Sequence, residues 1–418
     1  MIVITLYLTN LFIAPQLWIE AFKGIRVDFI ILPLWLGVVA FKGRLPDLFR
    51  FKVIDWFFVA MLVWIVLASI LNTTNDKTFD LIADYVKFFT LYRLFAVTIQ
   101  TMPELRKVLW IFLFFVMVLV VEGIQQKLSP DGVGWAGQTL GWVDPSVLAA
   151  GGTGRTRWIN LFDGPGVFCV VFTIGLPIVL ILLGPPFGIV MRVLGFAMLG
   201  PLLIATYFTG SRGGLIAALA IIALYLMIRL RVSVTKVAIV CGLVVVAYMA
   251  APSHLTGVKD ESHSAQHRVE MWAEGVEMVT SHPLFGVGKG NFRIYTSALI
   301  AHNSAIEIMG ETGIPGLFFW ISLIYLAVKG LILYRVGPYN EVDKAYVTAL
   351  ALIILGYIMS SMFVTLEYET LYILLGLCAV VGNHLNEQVQ FNRRDFKVTA
   401  SVSILWIVLV KAFAMVYF

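Results

Sequence analysis

The chain has 418 residues, of which 60% are hydrophobic and only 13% are charged, and its mean hydropathy is +0.91. A soluble domain carries about 25% charged residues, so the composition excludes a soluble globular protein of this length. Apolar runs near the ~20 residues that cross a bilayer as a helix recur throughout, and the ~10-residue alternating segments of a membrane β-barrel are not evident. The sequence therefore predicts an all-α polytopic membrane protein.

The formal net charge is +5, and the three cysteines, Cys169, Cys241 and Cys378, lie far apart in apolar runs. That spacing fits neither a disulfide framework nor a zinc site. The positive charge lies largely in loops, where it indicates orientation in the membrane. We expect membrane lipids as partners, no nucleic acid, no metal and no cofactor. Because Met1–Glu20 lacks a basic start and leads directly into further apolar runs, we expect no cleaved signal peptide.

Candidate spans follow one another along the whole chain, and we predict about twelve or thirteen transmembrane helices. The first is ambiguous between spanning the membrane and lying at its surface, and Lys411 interrupts the last. The predicted spans are 1–20, 26–42, 55–71, 81–100, 108–124, 166–183, 187–208, 213–230, 236–251, 314–334, 345–364, 370–384 and 400–418.

Three regions follow from this pattern. Residues 1–251 form N-terminal transmembrane helices with an external loop at about 125–165. Residues 252–313 form a large external loop that contains amphipathic helices, and residues 314–418 form C-terminal transmembrane helices. The assignment of sides rests on basic residues, which cluster in every second loop and mark the cytoplasmic side. These clusters are Lys42, Arg44, Arg50 and Lys52; Arg106 and Lys107; Arg192; Arg229, Arg231 and Lys236; Lys329, Arg335 and Lys344; and Arg393, Arg394 and Lys397.

The longest polar interval, Pro252–Gly316, is the best candidate for a functional site. It holds five of the six histidines: His254, His263, His267, His282 and His302. His263 and His267 are four residues apart, a helical spacing that could bind a metal, but the pattern lacks the glutamate of His-Glu-x-x-His. The run Gly286-Val-Gly-Lys-Gly-Asn291 resembles a phosphate loop only superficially, and a tight turn in which glycines supply positive φ is the better interpretation.

The external loop 125–165 carries Trp135, Trp142 and Trp158, followed by Arg155 and Arg157. Tryptophans near span ends usually anchor a protein at the lipid headgroups. The alternative is that these rings stack on sugars. Both interpretations stay open at this point.

Arg212 lies between two apolar spans in the run Thr209-Gly-Ser-Arg-Gly-Gly214. It could snorkel to the membrane surface as an anchor. Against this, the predicted external side disfavours positive charge, and the flanking glycines let another group approach the backbone. An arginine at a membrane edge is a functional candidate, and its planar fork suits phosphate oxygens.

Arg268 belongs to a predicted amphipathic helix on or near the membrane surface. Its apolar face is Met271, Trp272, Gly275, Val276 and Val279, and its polar face carries Glu270, Glu274 and Glu277. An ion pair with a neighbouring glutamate is the structural alternative for Arg268.

His302 precedes Ser304-x-x-Glu307, which predicts a capping box that starts a helix at Ser304. That helix should stop near Gly313, with Pro315 opening the next span. A histidine there can take a proton from a hydroxyl group near neutral pH, or it can be structural. Glu311 is the rival base, because a poorly solvated carboxylate can have a raised pKa.

Three blocks resemble the O-antigen ligase/polymerase superfamily of bacterial envelopes, the Wzy/WaaL type. They are Gly210–Gly214, the stretch from Arg268 to Phe292, and the stretch from His302 to Gly316. The resemblance is specific over residues 205–320 and extends loosely, as a multi-span frame, over the chain.

Members of this family transfer an undecaprenyl-pyrophosphate-linked glycan to an acceptor hydroxyl at the periplasmic face of the bacterial inner membrane, without a metal. The resemblance implies that Arg212 and Arg268 hold the donor pyrophosphate. It also implies that His302 is the base or positions the acceptor. Further candidates for substrate binding are Arg155, Arg157, Arg293 and Glu311.

We therefore predict a metal-independent inverting glycosyltransferase. Two fixed guanidinium groups would stabilise the leaving diphosphate, and the compact external loop favours a polysaccharide polymerase, whose acceptor is a second lipid-linked repeat unit. A ligase that transfers to a lipid A core is the alternative. A flippase or transporter of lipid-linked sugars would instead favour ionisable residues in mid-span and broken helices. The sequence leaves the sugar, the linkage, the acceptor and the oligomeric state open.

Overall fold

The computed structural model describes residues 1–25, 27–72, 78–141, 154–158, 162, 164–230, 233, 235–236, 261–296 and 299–417, with the backbone alone for 261–267 and 416–417. Several predictions therefore fall outside the described residues. They are almost all of the predicted span 236–251, His254, Cys241 and Trp142, together with the side chains of His263 and His267.

The described residues are helical, and the one β-bridge among them joins Val133 to Thr139. The α-helices are α1 (Ile2–Phe12), α2 (Asp28–Phe41), α3 (Val53–Ile70), α4 (Thr78–Thr98), α5 (Met102–Leu128), α6 (Pro165–Leu182), α7 (Ile189–Phe208), α8 (Arg212–Leu230), α9 (Glu261–Ser281), α10 (Phe292–Tyr295), α11 (Ser304–Val336), α12 (Glu341–Ser361), α13 (Glu369–Asn383) and α14 (Arg393–Tyr417). Short 3₁₀ helices cover Pro15–Leu17, Glu20–Phe22 and Leu45–Phe49.

Within the described part of the chain, 8 helices are long and apolar enough to cross a membrane: α3, α5, α6, α7, α8, α11, α12 and α14. Three shorter apolar helices correspond to further predicted spans: α1 with its 3₁₀ extension, α2 and α13. This confirms an all-helical membrane protein. The count of about twelve or thirteen spans stays a prediction.

The first predicted span does not form one continuous helix. α1 ends at Phe12 after 11 residues, because Ala14 adopts a left-handed conformation (φ 45°) and Pro15 opens a 3₁₀ turn. At 1.5 Å per residue α1 is about 16 Å long, roughly half of the ~30 Å hydrocarbon core of a bilayer.

The chain divides into two compact units, each assembled from three separate segments. Unit 1 comprises Met1–Lys42, Gln100–Lys259 and Pro338–Ser360. Unit 2 comprises Gly43–Ile99, Asp260–Gly337 and Ser361–Phe418. The region boundaries predicted at residues 251 and 313 separate the large loop from the spans before and after it along the chain. They stay a prediction.

Unit 1 is built around α6, whose residues from Val167 to Leu182 are all buried. α6 packs against α5, α7 and α8. Small residues allow these approaches: a Cβ added at Gly175 would lie 2.6 Å from Val116 of α5.

Unit 2 is built around α11, which packs against α3, α9, α13 and α14, while α4 packs on α13. α11 is interrupted at Gly313, whose φ of 72° and ψ of −170° are not helical. The predicted helix stop at Gly313, followed by a new start at Pro315, is therefore confirmed. The break divides α11 into a first part of nine residues before Gly313 and a longer apolar part after Pro315.

The charge pattern predicts that the loop containing Asp131 and the end of α9 are external, whereas Asn340 is cytoplasmic. All three positions, Asp131, Ser281 and Asn340, are exposed. We expect Asp131→Cys and Ser281→Cys to react with a membrane-impermeant thiol reagent in intact spheroplasts, and Asn340→Cys to react only after lysis.

The background for this experiment is Cys241→Ala, because Cys169 and Cys378 are buried. The Cys241→Ala protein without an added cysteine is the control for residual labelling. Labelling of Asn340→Cys alone in intact spheroplasts would reverse the predicted orientation.

Candidate active site

In unit 1, Arg212 is the first residue of α8 and its side chain is exposed. Ser211 caps the helix, since its hydroxyl accepts a hydrogen bond from the Gly214 amide at 3.1 Å. Gly214 is required for close packing, because an added Cβ would lie 2.1 Å from Sγ of Cys169 on α6. The start of α8, and with it the Cα of Arg212, is fixed by this helix contact.

Arg155 approaches the same turn of unit 1. Gly210 has a φ of 60°, and its Cβ position lies 3.2 Å from Nε of Arg155. The neighbouring Thr156 amide donates to the Phe208 carbonyl at 3.2 Å. The absence of a side chain at Gly210 thus lets another group approach the backbone, and that group is the side chain of Arg155.

Arg157 is held by α5. The Gln126 side chain donates to the Arg157 carbonyl at 2.9 Å and accepts from its amide at 3.1 Å. The guanidinium Nε of Arg157 donates to the Thr139 carbonyl at 3.4 Å. Arg155 and Arg157 therefore belong to one segment fixed between α5 and the end of α7.

Trp158 fits neither interpretation of the loop tryptophans, which were membrane anchoring and stacking on sugars. Its ring is fully buried and packs against Trp135 with the centroids 6.0 Å apart. A buried ring neither anchors at the headgroups nor stacks on a sugar. It forms part of the core under the loop instead.

In unit 2, α9 carries Arg268. Its predicted apolar face is largely confirmed: Met271, Gly275 and Val276 are buried, as are Val269, Met278 and Val279. An added Cβ at Gly275 would lie 2.5 Å from Ile306 of α11, so this glycine lets α9 pack closely against the first part of α11.

His302 is fixed from both sides. The Trp272 indole of α9 donates to the Ala301 carbonyl at 3.0 Å, and the Asn303 amide group donates to the Met362 carbonyl at 3.2 Å. Between these ties His302 has a φ of 49°, a left-handed conformation that costs a non-glycine residue of order 1 kcal/mol or more. Such strain persists only where the surrounding structure enforces it.

The predicted capping box at Ser304 is wrong. Asn303 is the N-cap, and its side-chain oxygen accepts from the amides of Ala305 and Ile306. The Ser304 hydroxyl instead accepts from the Leu366 amide at 2.8 Å, and Glu307 accepts from the Thr365 hydroxyl at 2.8 Å. Asparagine is as good a cap as serine, and capping by Asn303 leaves both side chains free to fix the loop after α12.

The surroundings of His302 favour its neutral form. Burial lowers the pKa of His302 below its usual 6.5, and the positive charges of Arg268 and Arg293 lower it further. The structure thus brings Arg268 of α9, Arg293 of α10 and His302 into one electrostatic neighbourhood. A neutral imidazole at pH 7 can accept a proton.

Glu311 belongs to a buried hydrogen-bond network that closes the glycine-rich turn. One carboxylate oxygen accepts from the amides of Gly290 (3.0 Å) and Phe292 (3.1 Å). The other accepts from Nζ of Lys289 at 2.7 Å. Glu311 is only 2% exposed, and these bonds use both of its oxygens.

Lys289 connects Glu311 to a second carboxylate that the sequence did not single out. Its ammonium group donates to Glu367 at 2.6 Å, and Glu367 also accepts a hydrogen bond from the Tyr85 hydroxyl. Burial lowers the pKa of Lys289, but the charges of Glu311 and Glu367 outweigh it and raise this pKa. The lysine is therefore a buried cation shared by two carboxylates.

The glycine-rich turn itself is confirmed as a tight turn. Gly286, Gly288 and Gly290 have φ values of 59°, 91° and 86°. A Cβ at Gly286 would lie 2.4 Å from the Gly310 carbonyl, because the Val287 and Gly288 amides donate to the carbonyls of Gly310 and Glu311. The turn wraps around the end of the first part of α11.

Comparison with known protein families gives a match that includes the glycine-rich turn and His302. Residues 196–321 match the family model described as O-antigen ligase. This part of the chain is similar to the O-antigen ligase family. The match confirms the family resemblance seen in the sequence. No curated protein matches the chain.

The O-antigen ligase match contains five of the seven predicted site residues: Arg212, Arg268, Arg293, His302 and Glu311. Arg155 and Arg157 lie before it. The roles predicted for all seven stay predictions, as does the metal alternative at His263 and His267, where the structure describes the backbone alone.

The cation shared by Glu311 and Glu367 predicts a stability effect in unit 2. Lys289→Met leaves Glu311 and Glu367 buried without their counter-ion, and breaking a buried ion pair from one side costs roughly 3–5 kcal/mol. We expect a clear fall in the melting temperature of the detergent-solubilised protein. Lys289→Met combined with Glu367→Gln should recover part of that loss.

The control is Lys107→Met, which removes an exposed lysine and should melt like the wild type. A Lys289→Met protein with the wild-type melting curve would show that the network contributes nothing to stability.

Proposed function

We propose that the protein is a glycosyltransferase that moves a glycan from an undecaprenyl diphosphate to the hydroxyl group of an acceptor sugar, with His302 as the general base. The observation that carries the proposal is His302 itself. It lies within the matched family domain, in a strained backbone conformation, with a pKa lowered by burial and by two arginines.

The proposed reaction is a single displacement. The neutral imidazole of His302 takes the proton of the acceptor hydroxyl, and the acceptor oxygen forms a bond to the anomeric carbon of the donor. The bond from that carbon to the diphosphate oxygen breaks, and undecaprenyl diphosphate leaves with the electron pair. Attack opposite the leaving group inverts the anomeric centre.

Arg212 and Arg268 are proposed to bind the donor diphosphate. A guanidinium group presents its donors in a planar fork that matches phosphate oxygens, and fixed cations stabilise charge that develops on a leaving group. The exposed Arg155 and Arg293 are further candidates for contact with this anion, and Arg157 is proposed to bind substrate beside Arg155.

Glu311 is proposed to act on substrate indirectly, as a positioning residue. Its two oxygens are bonded to Gly290, Phe292 and Lys289, so it fixes the turn that leads into α10 and Arg293. As the rival base it would first have to give up these bonds.

The acceptor distinguishes two versions of the activity. The predicted external loop 252–313 is compact for a protein that must also recognise a core oligosaccharide, which favours a polymerase that adds one lipid-linked repeat unit to another at the periplasmic face. The description of the matched family as O-antigen ligase favours transfer to a lipid A core. Purified protein incubated with one synthetic lipid-linked repeat unit, with and without lipid A core, separates them.

A ladder of lengthened lipid-linked glycans without the core identifies a polymerase, whereas product on the core alone identifies a ligase. Folded protein that transfers nothing across a panel of repeat units in either arm would contradict the proposal.

His302→Gln keeps a hydrogen-bonding group but cannot take up a proton near neutral pH. We expect the transfer rate to fall by roughly 10²–10⁴-fold. In the wild type, kcat/KM should fall as the pH drops below the lowered pKa of His302, hence below 6.5, because protonation removes the base. This acidic limb should be missing from the residual activity of His302→Gln.

The matched control is His282→Gln, since His282 is an exposed histidine whose ring is hydrogen-bonded to the Ser281 hydroxyl at 3.0 Å. Near-normal turnover in His302→Gln, together with a folded but inactive Glu311→Gln, would move the base to Glu311.

Arg212→Lys and Arg268→Lys keep the charge and lose the fork. We expect each to lower kcat/KM on the order of 10²-fold, as for the loss of one charge-stabilising donor. If both bind the same diphosphate, the double variant should lose less than the product of the two single effects. Arg192→Lys, whose Nε donates to the Phe187 carbonyl, is the control, and full activity in both single variants would refute the donor assignment.

A further inference from the structure

Unit 2 contains a cavity of about 220 Å³ that the proposed transfer reaction does not use. On the same scale a single water needs only ~10–15 Å³. The cavity is lined by Leu326, Ala327 and Gly330 of α11. Gly330 lies 17 residues beyond the break at Gly313, about 25 Å along a helix. The cavity is therefore separated from the His302 end of α11 by close to the ~30 Å thickness of a bilayer core.

One wall of the cavity is cationic. It includes Arg44, Arg50, Lys52 and Arg93, with Asp47 and Asp55 as the acidic residues. Four positive and two negative side chains leave an excess of two positive charges. These residues lie in or beside the loop between α2 and α3, which the charge pattern predicts to be cytoplasmic.

The two carboxylates are already engaged. Asp55 is 2% exposed and accepts from Arg93 at 2.7 Å, from the Tyr92 hydroxyl at 2.6 Å and from the Lys52 amide at 2.5 Å. Asp47 lies 3.5 Å from Arg44 and 3.2 Å from Arg50. The carboxylates of the wall therefore cannot neutralise all of its cations.

Lys52 is the cation left over. Among the described residues, Arg44 and Arg50 pair with Asp47 and Arg93 pairs with Asp55, and no ion pair within 4.0 Å includes the Lys52 ammonium group. Burial lowers the pKa of Lys52; Asp55 raises it and Arg93 lowers it, and the net shift is downward. A bound anion would act in the opposite direction, because its negative charge would raise the pKa of Lys52.

The rest of the lining is largely apolar, and includes Val97, Leu326, Ala327 and Val389. Close by in the chain, Phe49 is 75% exposed and Trp56 is 59% exposed. Exposed aromatic rings beside exposed basic residues are typical of the level of the lipid headgroups. A free inorganic anion would need no apolar wall, whereas a phospholipid has an anionic head joined to apolar chains.

We propose that this cavity binds the phosphate group of an anionic membrane phospholipid, with Lys52 and Arg50 contacting the phosphate and the apolar wall contacting the upper acyl chains. Basic pockets between transmembrane helices recognise anionic headgroups in this way. The lipid would bridge the α2–α3 loop to α11 and α13 within unit 2.

The test uses the full chain, purified in detergent and stripped of lipid. Native mass spectrometry measures binding from an equimolar mixture of phosphatidylglycerol and phosphatidylcholine. We expect preferential binding of phosphatidylglycerol, with the preference falling about tenfold in Lys52→Gln, the loss expected for one charge-assisted hydrogen bond. Arg50→Gln should show a similar fall, and Lys107→Gln, an exposed lysine outside the cavity, should keep the wild-type preference.

Melting curves with added phosphatidylglycerol, or with inorganic phosphate at matched ionic strength, distinguish the two sources of phosphate. Stabilisation by the lipid alone supports the proposal. Equal stabilisation by inorganic phosphate overturns the assignment to a lipid. Equal binding of the two phospholipids by the wild type, or an unchanged preference in folded Lys52→Gln and Arg50→Gln, overturns the site altogether.

Discussion

The carboxylate of Glu311 and its partners determine the local structure of unit 2 around the candidate catalytic residues. A buried carboxylate is stable only if cations and hydrogen-bond donors replace the water it has lost. Here those partners are Lys289 and two backbone amides of the glycine-rich turn. Satisfying one charge therefore fixes the turn, the start of α10 and the end of the first part of α11 at the same time.

Lys289 extends the same constraint to more distant parts of unit 2. By binding Glu367 as well, it connects the turn to the loop before α13 and, through Tyr85, to α4. Ser304 and Glu307 bond to the same loop from α11. The segment on either side of His302 is thus held by groups from several helices, which explains how a histidine keeps a positive φ there.

Local patterns in the sequence predicted the local features well. Apolar runs predicted the positions of the helices, the spacing of Met271 and Val276 predicted the buried face of α9, and Gly313 with Pro315 predicted the break in α11. Features that depend on distant partners were not predictable. Lys289 and Glu367 are 78 residues apart in the chain, and no periodicity connects them. The Ser304 cap failed for the same reason, because Leu366 competes for its hydroxyl.

In the proposed reaction, the position of His302 near Arg268 couples the binding of the donor to the activation of the acceptor hydroxyl. The arginine charge that lowers the pKa of His302 is the charge that a donor diphosphate would neutralise. Binding of the donor would therefore raise the pKa of the imidazole, making it a stronger base once the leaving group is in place. By thermodynamic reciprocity the protonated histidine would bind the donor more tightly. The base and the donor site would then behave as one linked system, in which an acceptor hydroxyl is activated mainly when a donor is present to receive its attack.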